Sequence, residues 1–330
     1  MQLDEMESSS PSSDSSQFFA VIIANPTSGN GGFPLQTRRF DETLAFLRGH
    51  GWKVDLWYTQ AAGEGEQLAR KAVIQKANLV IAAGGDGTIN EIIQGLVGSE
   101  TALGVLPNGT VNVWARELGI PLDDMRARSV LVNGQTRRID LGCVNGRYFL
   151  LMVGIGFDGE VTHIVERKPL KRLGILGYTL AVLWLGPGYR GFPVVARIDG
   201  YVVKTRALQI FAGNTQLYAG AVKFTWQAKC DDGLLDLCIV RKRNLWGRLE
   251  VARDFLLRRE RRRLWVHYDT FKTLKIETPE PVPFQIDGEA AGYTPAEFSV
   301  APGALKVIVP QKTPVGLFSK KVGSAEDANT

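Results

Sequence analysis

The sequence predicts an α/β protein with two unlike halves: an N-terminal doubly wound parallel-sheet domain and a C-terminal antiparallel β-sandwich domain. A chain of 330 residues that is 45% hydrophobic and 22% charged is long enough for two separate cores. From Phe18 to about Gln135, strand-length apolar runs alternate with helix-length segments, which indicates a parallel sheet. After Thr136 the apolar runs are shorter and separated by Gly, Asn and Asp, which indicates antiparallel strands.

Four apolar runs of strand length predict the parallel sheet of the N-terminal half. They are FFAVIIA, WKVDLWYT, NLVIAAGG and ALGVLP. The intervening segments have helical spacing of their apolar residues, as at Phe40, Leu44 and Leu47. These predicted helices are FDETLAFLRGHG, GEGEQLARKAVIQKA, TINEIIQGLVG, VNVWARELG and DDMRARSVLVNG.

Eight strand-like runs predict the β-sandwich of the C-terminal half. They are RRIDLGCV, YFLLMVGIGF, FPVVARID, YVVKTRALQIFAGN, GLLDLCIV, TLKIET, VPFQIDGE and ALKVIVP. Helical insertions are expected at about Leu170 to Leu185 and Leu245 to Trp265. We therefore predict four regions: a disordered acidic tail (1–17), the α/β domain (18–135), the β-sandwich domain (136–310) and a polar C-terminal tail (311–330).

Composition argues against several classes of protein. The three cysteines (Cys143, Cys230 and Cys238) form no CxxC pair and have no neighbouring histidine cluster, so neither a disulfide framework nor a zinc site is expected and a reducing cytoplasm fits best. The N-terminal residues lack the basic and apolar regions of a signal peptide. The longest near-apolar stretch, Leu173 to Gly186, is shorter than the roughly 20 residues of a membrane-spanning helix, so none is expected.

The net charge of +5 is concentrated in one segment. Arg241 to Arg263 contains ten Lys and Arg residues against three acidic residues, so this segment carries +7 and the remainder of the chain −2. Such a segment either meets an anionic surface or forms a solvated helix face. No nucleic-acid-binding module accompanies it, so a nucleic-acid partner is not expected.

Three glycine-rich loops follow predicted strands of the parallel sheet. GGDGT (Gly84 to Thr88) ends one strand and begins a helix, NPTSGNGG follows the first strand, and PNGTVN follows the fourth. Ligands bind at the carboxyl ends of such strands, where backbone N–H groups of glycine loops and a helix N-terminus attract phosphate. Each loop is also an ordinary turn, but three of them at one sheet edge predict a polyphosphate cleft. Neither Rossmann nor Walker spacing is present.

The ordered motifs NPTSG, GGDGTINE, NGTVNVWARELGIP, GIGFDGEV, DDGLLDL and IDGE resemble the diacylglycerol kinase catalytic-domain family of lipid kinases, whose eukaryotic relatives include sphingosine and ceramide kinases. The resemblance extends from about Phe18 to Pro310. NAD kinases and phosphofructokinases share GGDG(T/S) and the architecture of the first domain. Asn90 and Glu91, soon after GGDGT, together with the later NGTxN, are similar to the lipid kinase branch.

The resemblance implies an ATP site in the first domain. The predicted ATP-binding residues are Asn25, Pro26, Thr27, Ser28, Gly29, Thr59, Gly84, Gly85, Asp86, Gly87, Thr88, Ile89, Asn90 and Thr110.

The resemblance also implies a magnesium site at the DGxLD loop, with the Asp232 side chain and the backbone oxygens of Lys229 and Leu234 as ligands. Whether that metal is structural or catalytic is left open, and a plain hairpin turn is the alternative. The catalytic residues implied are Glu289 as the base for the acceptor hydroxyl, Asp287, which orients either that base or the substrate, and Asp86 beside the phosphates and Mg²⁺. Without the resemblance, IDGE reads as a turn between strands.

The predicted function is ATP-dependent transfer of a phosphoryl group to a lipid hydroxyl, most simply diacylglycerol to phosphatidic acid. A sphingoid base, ceramide or phosphatidylglycerol as acceptor stays open, as does a catalytically silent nucleotide- or lipid-binding protein. We expect a cytoplasmic protein in peripheral contact with an anionic membrane through the basic segment. The apolar helix near Leu173 to Leu185 is either a core helix, which the sequence favours, or a second membrane contact. The relatives often form dimers, so a homodimer is also open.

The sequence departs from the family pattern in two places. Asn30 and Gly31 stand where many relatives carry Lys, which raises the question of how the charge of the γ-phosphate is offset. The run from Leu217 to Val222, before the DGxLD loop, is bulkier than the glycine-rich run of relatives, so acceptor recognition is expected to differ.

Overall fold

The computed structural model describes residues 17–26, 28, 33–167, 175–186, 188–218, 220, 222–241 and 266–319. The predicted helix at 245–265, residues 1–16 of the predicted acidic tail and residues 320–330 of the predicted C-terminal tail lie outside the described residues. No helix in the described part of the chain is both long and apolar enough to cross a membrane.

The N-terminal half alternates strands and helices as the apolar pattern predicts. Its elements are β1 Phe19–Ala24, α1 Phe33–Gly49, β2 Lys53–Tyr58, α2 Glu64–Ile74, β3 Leu79–Gly84, α3 Asp86–Leu96, β4 Ala102–Pro107, α4 Val113–Leu118 and α5 Asp124–Asn133. The strands are parallel in the order β2-β1-β3-β4. Every residue of β3 and β4 is buried, which requires cover on both faces of the sheet. The packed helix pairs α1 with α5 and α2 with α3 provide it.

The C-terminal half is mainly antiparallel. Its elements are β5 Gln135–Val144, β6 Arg147–Phe149, β7 Met152–Gly156, α6 Phe157–Arg167, α7 Ile175–Leu185, β8 Phe192–Ile198, β9 Tyr201–Gly213, β10 Leu217–Tyr218, β11 Val222–Lys223, β12 Leu235–Arg241, β13 Val266–Phe271, β14 Thr273–Glu277, β15 Pro283–Ile286, β16 Glu289–Tyr293 and β17 Ala296–Val309. Alternating burial in β8 matches a sheet with one face in the core. The predicted fold class is confirmed.

One long strand joins the two halves. Near its start β17 pairs with β14, over most of its length it pairs with β5, and near its end Val307 pairs in parallel with Leu103 of β4. Fifteen strands of the described residues therefore form one hydrogen-bonded sheet. The carboxyl ends of the parallel strands and the β15–β16 turn are consequently parts of one continuous framework.

Several segments differ from the sequence-based expectation, including the strands β10, β11, β13 and β16, which the apolar runs did not predict. Residues 157–167, which directly follow the strand β7, form the helix α6, because the buried strand ends at Gly156 with a φ of 102°. The start of the predicted C-terminal tail packs onto the protein: Leu317 is buried and its carbonyl accepts a hydrogen bond from the Cys230 amide at 3.0 Å. The predicted domain limits themselves stay a prediction.

Candidate active site

Backbone and side-chain hydrogen bonds hold the three glycine-rich loops together at the carboxyl edge of the parallel sheet. The Asn25 amide donates to the Ala83 carbonyl at 3.2 Å, and the Asn108 amide donates to the Gly84 carbonyl at 3.1 Å. Asn108 Nδ2 also reaches the Ser28 carbonyl at 3.2 Å. The convergence expected from the positions of the loops in the sequence is therefore present.

Glycine is required where the GGDGT turn meets the NGT loop. A Cβ on Gly109 would lie 2.5 Å from the Gly85 Cα, so any side chain there would push the two backbones apart. A Cβ on Gly84 would lie 2.5 Å from Thr88 Oγ1. The turn is thus packed tightly against its own helix and its neighbour, with backbone rather than side chains at its surface.

Asp86 connects the first turn of α3 to the start of α4. Its carboxylate accepts hydrogen bonds from the amides of Val113, at 2.9 Å, and Trp114, at 3.1 Å. Burial raises the pKa of Asp86, and these two N–H groups oppose the rise. Both carboxylate oxygens therefore bind backbone amides in this structure, and the predicted role of Asp86 beside the phosphates stays a prediction.

Glu289 reaches from the C-terminal half to the GGDGT turn. It is the first residue of β16, and a Cβ built on Gly87 would lie only 2.5 Å from its Oε1. Its Oε2 is 3.4 Å from Arg147 Nη2. A carboxylate of one half therefore contacts the glycine turn of the other, and only the missing side chain at Gly87 permits the approach.

Asp287 fixes the turn that carries Glu289. Its buried carboxylate accepts hydrogen bonds from the amides of Leu150, Leu151 and Met152 at 2.8–2.9 Å and from Asn90 Nδ2 at 2.8 Å. Its φ is 49°, in the left-handed region that Asp tolerates better than most residues. Burial raises the pKa of Asp287 to about 6, while the four N–H donors favour the ionised form.

A second buried network lies behind the same turn. Gln285 Oε1 accepts from the Gly288 amide at 2.6 Å, and its Nε2 donates to Asp158 Oδ2 at 2.8 Å. The hydroxyls of Tyr178 and Tyr218 both donate to Asp158 Oδ1. Burial raises the pKa of Asp158 and the hydrogen bonds oppose that rise. The network ties α7 and β10 to the β15–β16 turn.

The predicted metal ligands lie on the loop before β12. Asp232 Oδ1 accepts from the Leu234 amide at 3.1 Å, and Asp140 accepts from the neighbouring Gly233 amide at 2.6 Å. Burial and the negative charges of Asp140 and Asp231 raise the pKa of Asp232, so a cation would relieve an unfavourable field.

One carboxylate and two carbonyl oxygens form a donor set that Mg²⁺ prefers. Within the part of the chain that the structure describes, no three His, Cys, Asp or Glu side chains converge to hold a metal by themselves. Buried Asn214 joins this loop region to the segment between β6 and β7, because its Nδ2 donates to the carbonyls of Asp140 and Leu150.

The remaining predicted residues are distributed unevenly. Thr59 is buried directly after β2, and its amide donates a hydrogen bond to the Ala24 carbonyl at 3.0 Å. Thr110 is exposed on the NGT loop. Thr27 and Gly29 lie outside the described residues.

Sequence reasoning missed Arg147, Asp158 and Gln285. Asp158 stands inside the quoted motif GIGFDGEV, whereas Arg147 and Gln285 belong to strands with no motif of their own.

The C-terminal half also contains an open cleft of about 720 Å³ between the end of α7 and the start of β15. Its lining is rich in aromatic residues and proline, including Trp184, Tyr189, Phe192, Pro281 and Pro283. The cleft is on the same half as Glu289, and β15 connects the two.

Comparison with known proteins gives consistent matches over most of the chain. Family models match for the diacylglycerol kinase catalytic domain at residues 19–144 and for the YegS C-terminal NAD kinase beta sandwich-like domain at residues 151–309. The diacylglycerol kinase of Bacillus subtilis (strain 168) is 33% identical over 296 residues, which covers 89% of this chain and 97% of that protein.

Two further relatives extend these matches. The diacylglycerol kinase of Staphylococcus carnosus (strain TM300) is 32% identical, covering 88% of this chain and 95% of that protein. A crystal structure from Bacillus anthracis str. Sterne, assigned as a diacylglycerol kinase, superposes with a TM-score of 0.74 at 26% identity, over 89% of this chain and 98% of that one.

Replacing Gly87 by Ala should lower turnover without lowering stability. The new Cβ would meet the flexible end of Glu289 at 2.5 Å, so the carboxylate moves while the core is untouched. A displacement of about 1 Å at a reacting group costs about 100-fold in rate, so we expect a loss of about that size in kcat with an unchanged melting temperature. Gly49→Ala is the matched control, because nothing lies within 4 Å of its Cβ position. Full activity of Gly87→Ala would contradict the Glu289 placement.

Protonation of Asp287 should give kcat an acid limb near pH 6. Below that pH the carboxyl group no longer accepts all four N–H bonds, so the turn that carries Glu289 loosens. Asp287→Asn should lower kcat by about 10- to 100-fold, because the NH₂ group of the new side chain would face N–H donors in place of an acceptor oxygen. The same substitution should remove the acid limb.

The control for this pH profile is Asp199→Asn. Asp199 also has a positive φ and accepts from the Lys272 and Thr273 amides, but it lies on the exposed β8–β9 turn. An unchanged acid limb in Asp287→Asn, measured from pH 5 to 8 with the folded variant, would show that another group titrates.

Proposed function

Because the chain belongs to the diacylglycerol kinase catalytic-domain family, we propose that it transfers the γ-phosphoryl group of ATP to the hydroxyl of diacylglycerol and forms phosphatidic acid. Membership of this family makes the chain a lipid kinase with ATP as its phosphoryl donor. The choice of diacylglycerol among lipid alcohols is our proposal, and the names of the similar bacterial proteins support it.

One observation carries the proposed site: the carboxylate of Glu289 lies against Gly87 in the GGDGT turn. The glycine loops provide backbone N–H groups and a helix N-terminus for a polyphosphate. The opposing half provides the carboxylate of Glu289 in contact with the GGDGT turn. Phosphoryl transfer to an alcohol requires this combination.

In the proposed reaction the lipid hydroxyl oxygen bonds to the γ-phosphorus, and the bond to the β–γ bridging oxygen breaks. Glu289 accepts the hydroxyl proton as the new P–O bond forms, and ADP leaves with the bridging oxygen. Asp287 stays in its buried position and holds the turn on which Glu289 lies. The GGDGT and NPTSG loops bind and orient the phosphates.

Magnesium enters the proposal at two places. Asp232 and the backbone oxygens of Lys229 and Leu234 would hold one ion, which would neutralise the field of Asp140 and Asp231 and stabilise the loop before β12. Mg²⁺ that accompanies ATP supplies charge neutralisation of the phosphates. The role of Asp86 in this proposal is to hold α4 and the NGT loop against the phosphate-binding turn.

Glu289→Gln should abolish lipid-dependent turnover while leaving the fold intact. Loss of a general base typically costs about 10²–10⁴-fold, and Glu289 is half-exposed, so the isosteric amide is tolerated. The measurement is radiolabel transfer from ATP to vesicles that contain diacylglycerol, a sphingoid base, ceramide or phosphatidylglycerol in turn.

The lipid that is labelled most strongly distinguishes the candidate functions. Strongest labelling of diacylglycerol supports the proposal, whereas strongest labelling of another lipid replaces the acceptor and keeps the kinase. No labelling of any lipid by the native protein would favour a silent binding protein. Glu277→Gln is the matched control, because Glu277 is a half-exposed strand glutamate paired with Arg197, away from the site.

We further propose that α7 contacts the membrane that contains the substrate. Its sequence ILGYTLAVLWL has no charged residue, and Leu180 and Trp184 expose 45% and 69% of their surface. Tryptophan and leucine favour the membrane interface. The same helix borders the aromatic cleft through Trp184. Residues 242–263 of the basic segment lie outside the described residues.

Replacing both Leu180 and Trp184 by Ser should weaken binding to anionic vesicles and raise the apparent KM for vesicle-borne lipid, with kcat preserved. Burying two such side chains is worth about 3–6 kcal/mol in water-to-apolar transfer, so a loss of at least about 10-fold in vesicle affinity is expected. Ile74→Ser is the control, because Ile74 is 81% exposed on α2 of the other half. Equal vesicle binding by all three proteins in a sedimentation assay would rule out α7 as the contact.

A further inference from the structure

We infer that Arg147 is the cation that contacts the transferred phosphoryl group. The inference rests on the proposed function, because it takes the nucleotide to be bound at the GGDGT turn. Arg147 begins β6, directly after the Asn145–Gly146 turn, and no sequence motif singles it out. Tertiary structure alone brings it to the site.

The position of the guanidinium group is defined by both halves of the protein. Arg147 Nη2 donates to Asn90 Oδ1 at 2.8 Å and lies 3.4 Å from Glu289 Oε2. Asn90 is buried in α3, and its Nδ2 is committed to Asp287. Because the side-chain nitrogen of Asn90 donates to the carboxylate of Asp287, its side-chain oxygen faces Arg147. The guanidinium group is therefore held beside Gly87 and Glu289.

The guanidinium group of Arg147 has further N–H donors available for a ligand. Only Nη2 makes these contacts, and within the described residues no acceptor is bonded to Nε or Nη1. The side chain is 41% exposed, so a ligand bound at the GGDGT turn can reach it. A guanidinium fork with free donors matches the oxygens of a phosphate in a way that a point charge does not.

Two other arginines near the glycine-rich loops are bonded to groups other than Glu289. Arg39 forms an ion pair with Asp124 and donates to Asn108, and the Nε of Arg116 donates to the Val111 carbonyl at 2.7 Å. Asn30 and Gly31 carry no charge. Arg147 is the arginine whose contacts join α3, which begins at the phosphate-binding turn, to the predicted base.

The ion pair with Glu289 changes during the proposed reaction. Before transfer, Arg147 faces the ionised carboxylate. When Glu289 takes the hydroxyl proton it becomes neutral, and the guanidinium group is released to the oxygens of the phosphoryl group, on which negative charge is spread during transfer. Arg147 would therefore stabilise the transition state more than the bound substrates, and its removal should act on kcat rather than on KM.

The test compares Arg147→Gln, Arg147→Lys and Arg147→Ala with the native protein in the radiolabel assay. Arg147→Gln, which keeps a donor for Asn90 but loses the charge, should lower kcat at least about 100-fold with little change in KM for ATP. Arg147→Lys should recover only part of the loss. Millimolar guanidinium chloride should restore turnover to Arg147→Ala, a response that a merely structural role would not give.

Arg138→Gln is the matched control, because Arg138 is a half-exposed strand arginine paired with Glu100, away from the site. A kcat of Arg147→Gln within about twofold of the native value, or a loss that guanidinium does not restore in Arg147→Ala, would overturn the inference while native turnover upholds the proposed function. If Arg147→Gln unfolds, the kcat of Arg147→Lys and the guanidinium rescue of Arg147→Ala test the inference instead. Absence of native turnover with every lipid would instead refute the proposed function, and the inference with it.

Discussion

The buried carboxylate of Asp287 is the interaction on which the site depends. A buried carboxylate is costly unless donors surround it, and here three consecutive backbone amides and the Asn90 side chain do so. The amides belong to the segment between β6 and β7, the carboxylate to the β15–β16 turn, and Asn90 to α3 of the N-terminal half. One side chain thus fixes the turn of Glu289 relative to both the sandwich and the glycine loop.

The continuous sheet holds the two halves in the relative position that this local arrangement requires. Because β17 pairs with β14, β5 and β4, the two halves are joined by backbone hydrogen bonds as well as by packing. Approach of Glu289 to Gly87 is then set by the framework, with the Asp158 and Gln285 network supporting the turn from behind. A lipid kinase gains from such rigidity, since the positions of base, cation and phosphate must agree within fractions of an ångström.

Much of this arrangement could be predicted, and the part that could not has a common cause. Strand and helix periods predicted the fold class, and turn residues at strand ends predicted that the NPTSG, GGDGT and NGT loops converge. Arg147 escaped prediction because its partners Asn90 and Glu289 are 57 and 142 residues away in sequence. Asp158 was visible inside a motif, but its partners Tyr178, Tyr218 and Gln285 were not. The sequence predicts Asp86 beside the phosphates, and the structure adds that its carboxylate binds the amides that begin α4.

The sequence by itself determined the division of the chain into two unlike halves, the order of its motifs and its family, because hydrophobic period, turn chemistry and motif spacing are local properties of the chain. Only the tertiary structure decided which side chains face each other across the site. Asn90 and Asp287 are separated by 197 residues, and their contact depends on the pairing of β15 with β7 and of β17 with β4. Such pairings are set by the packing of whole strands, so no local pattern records them.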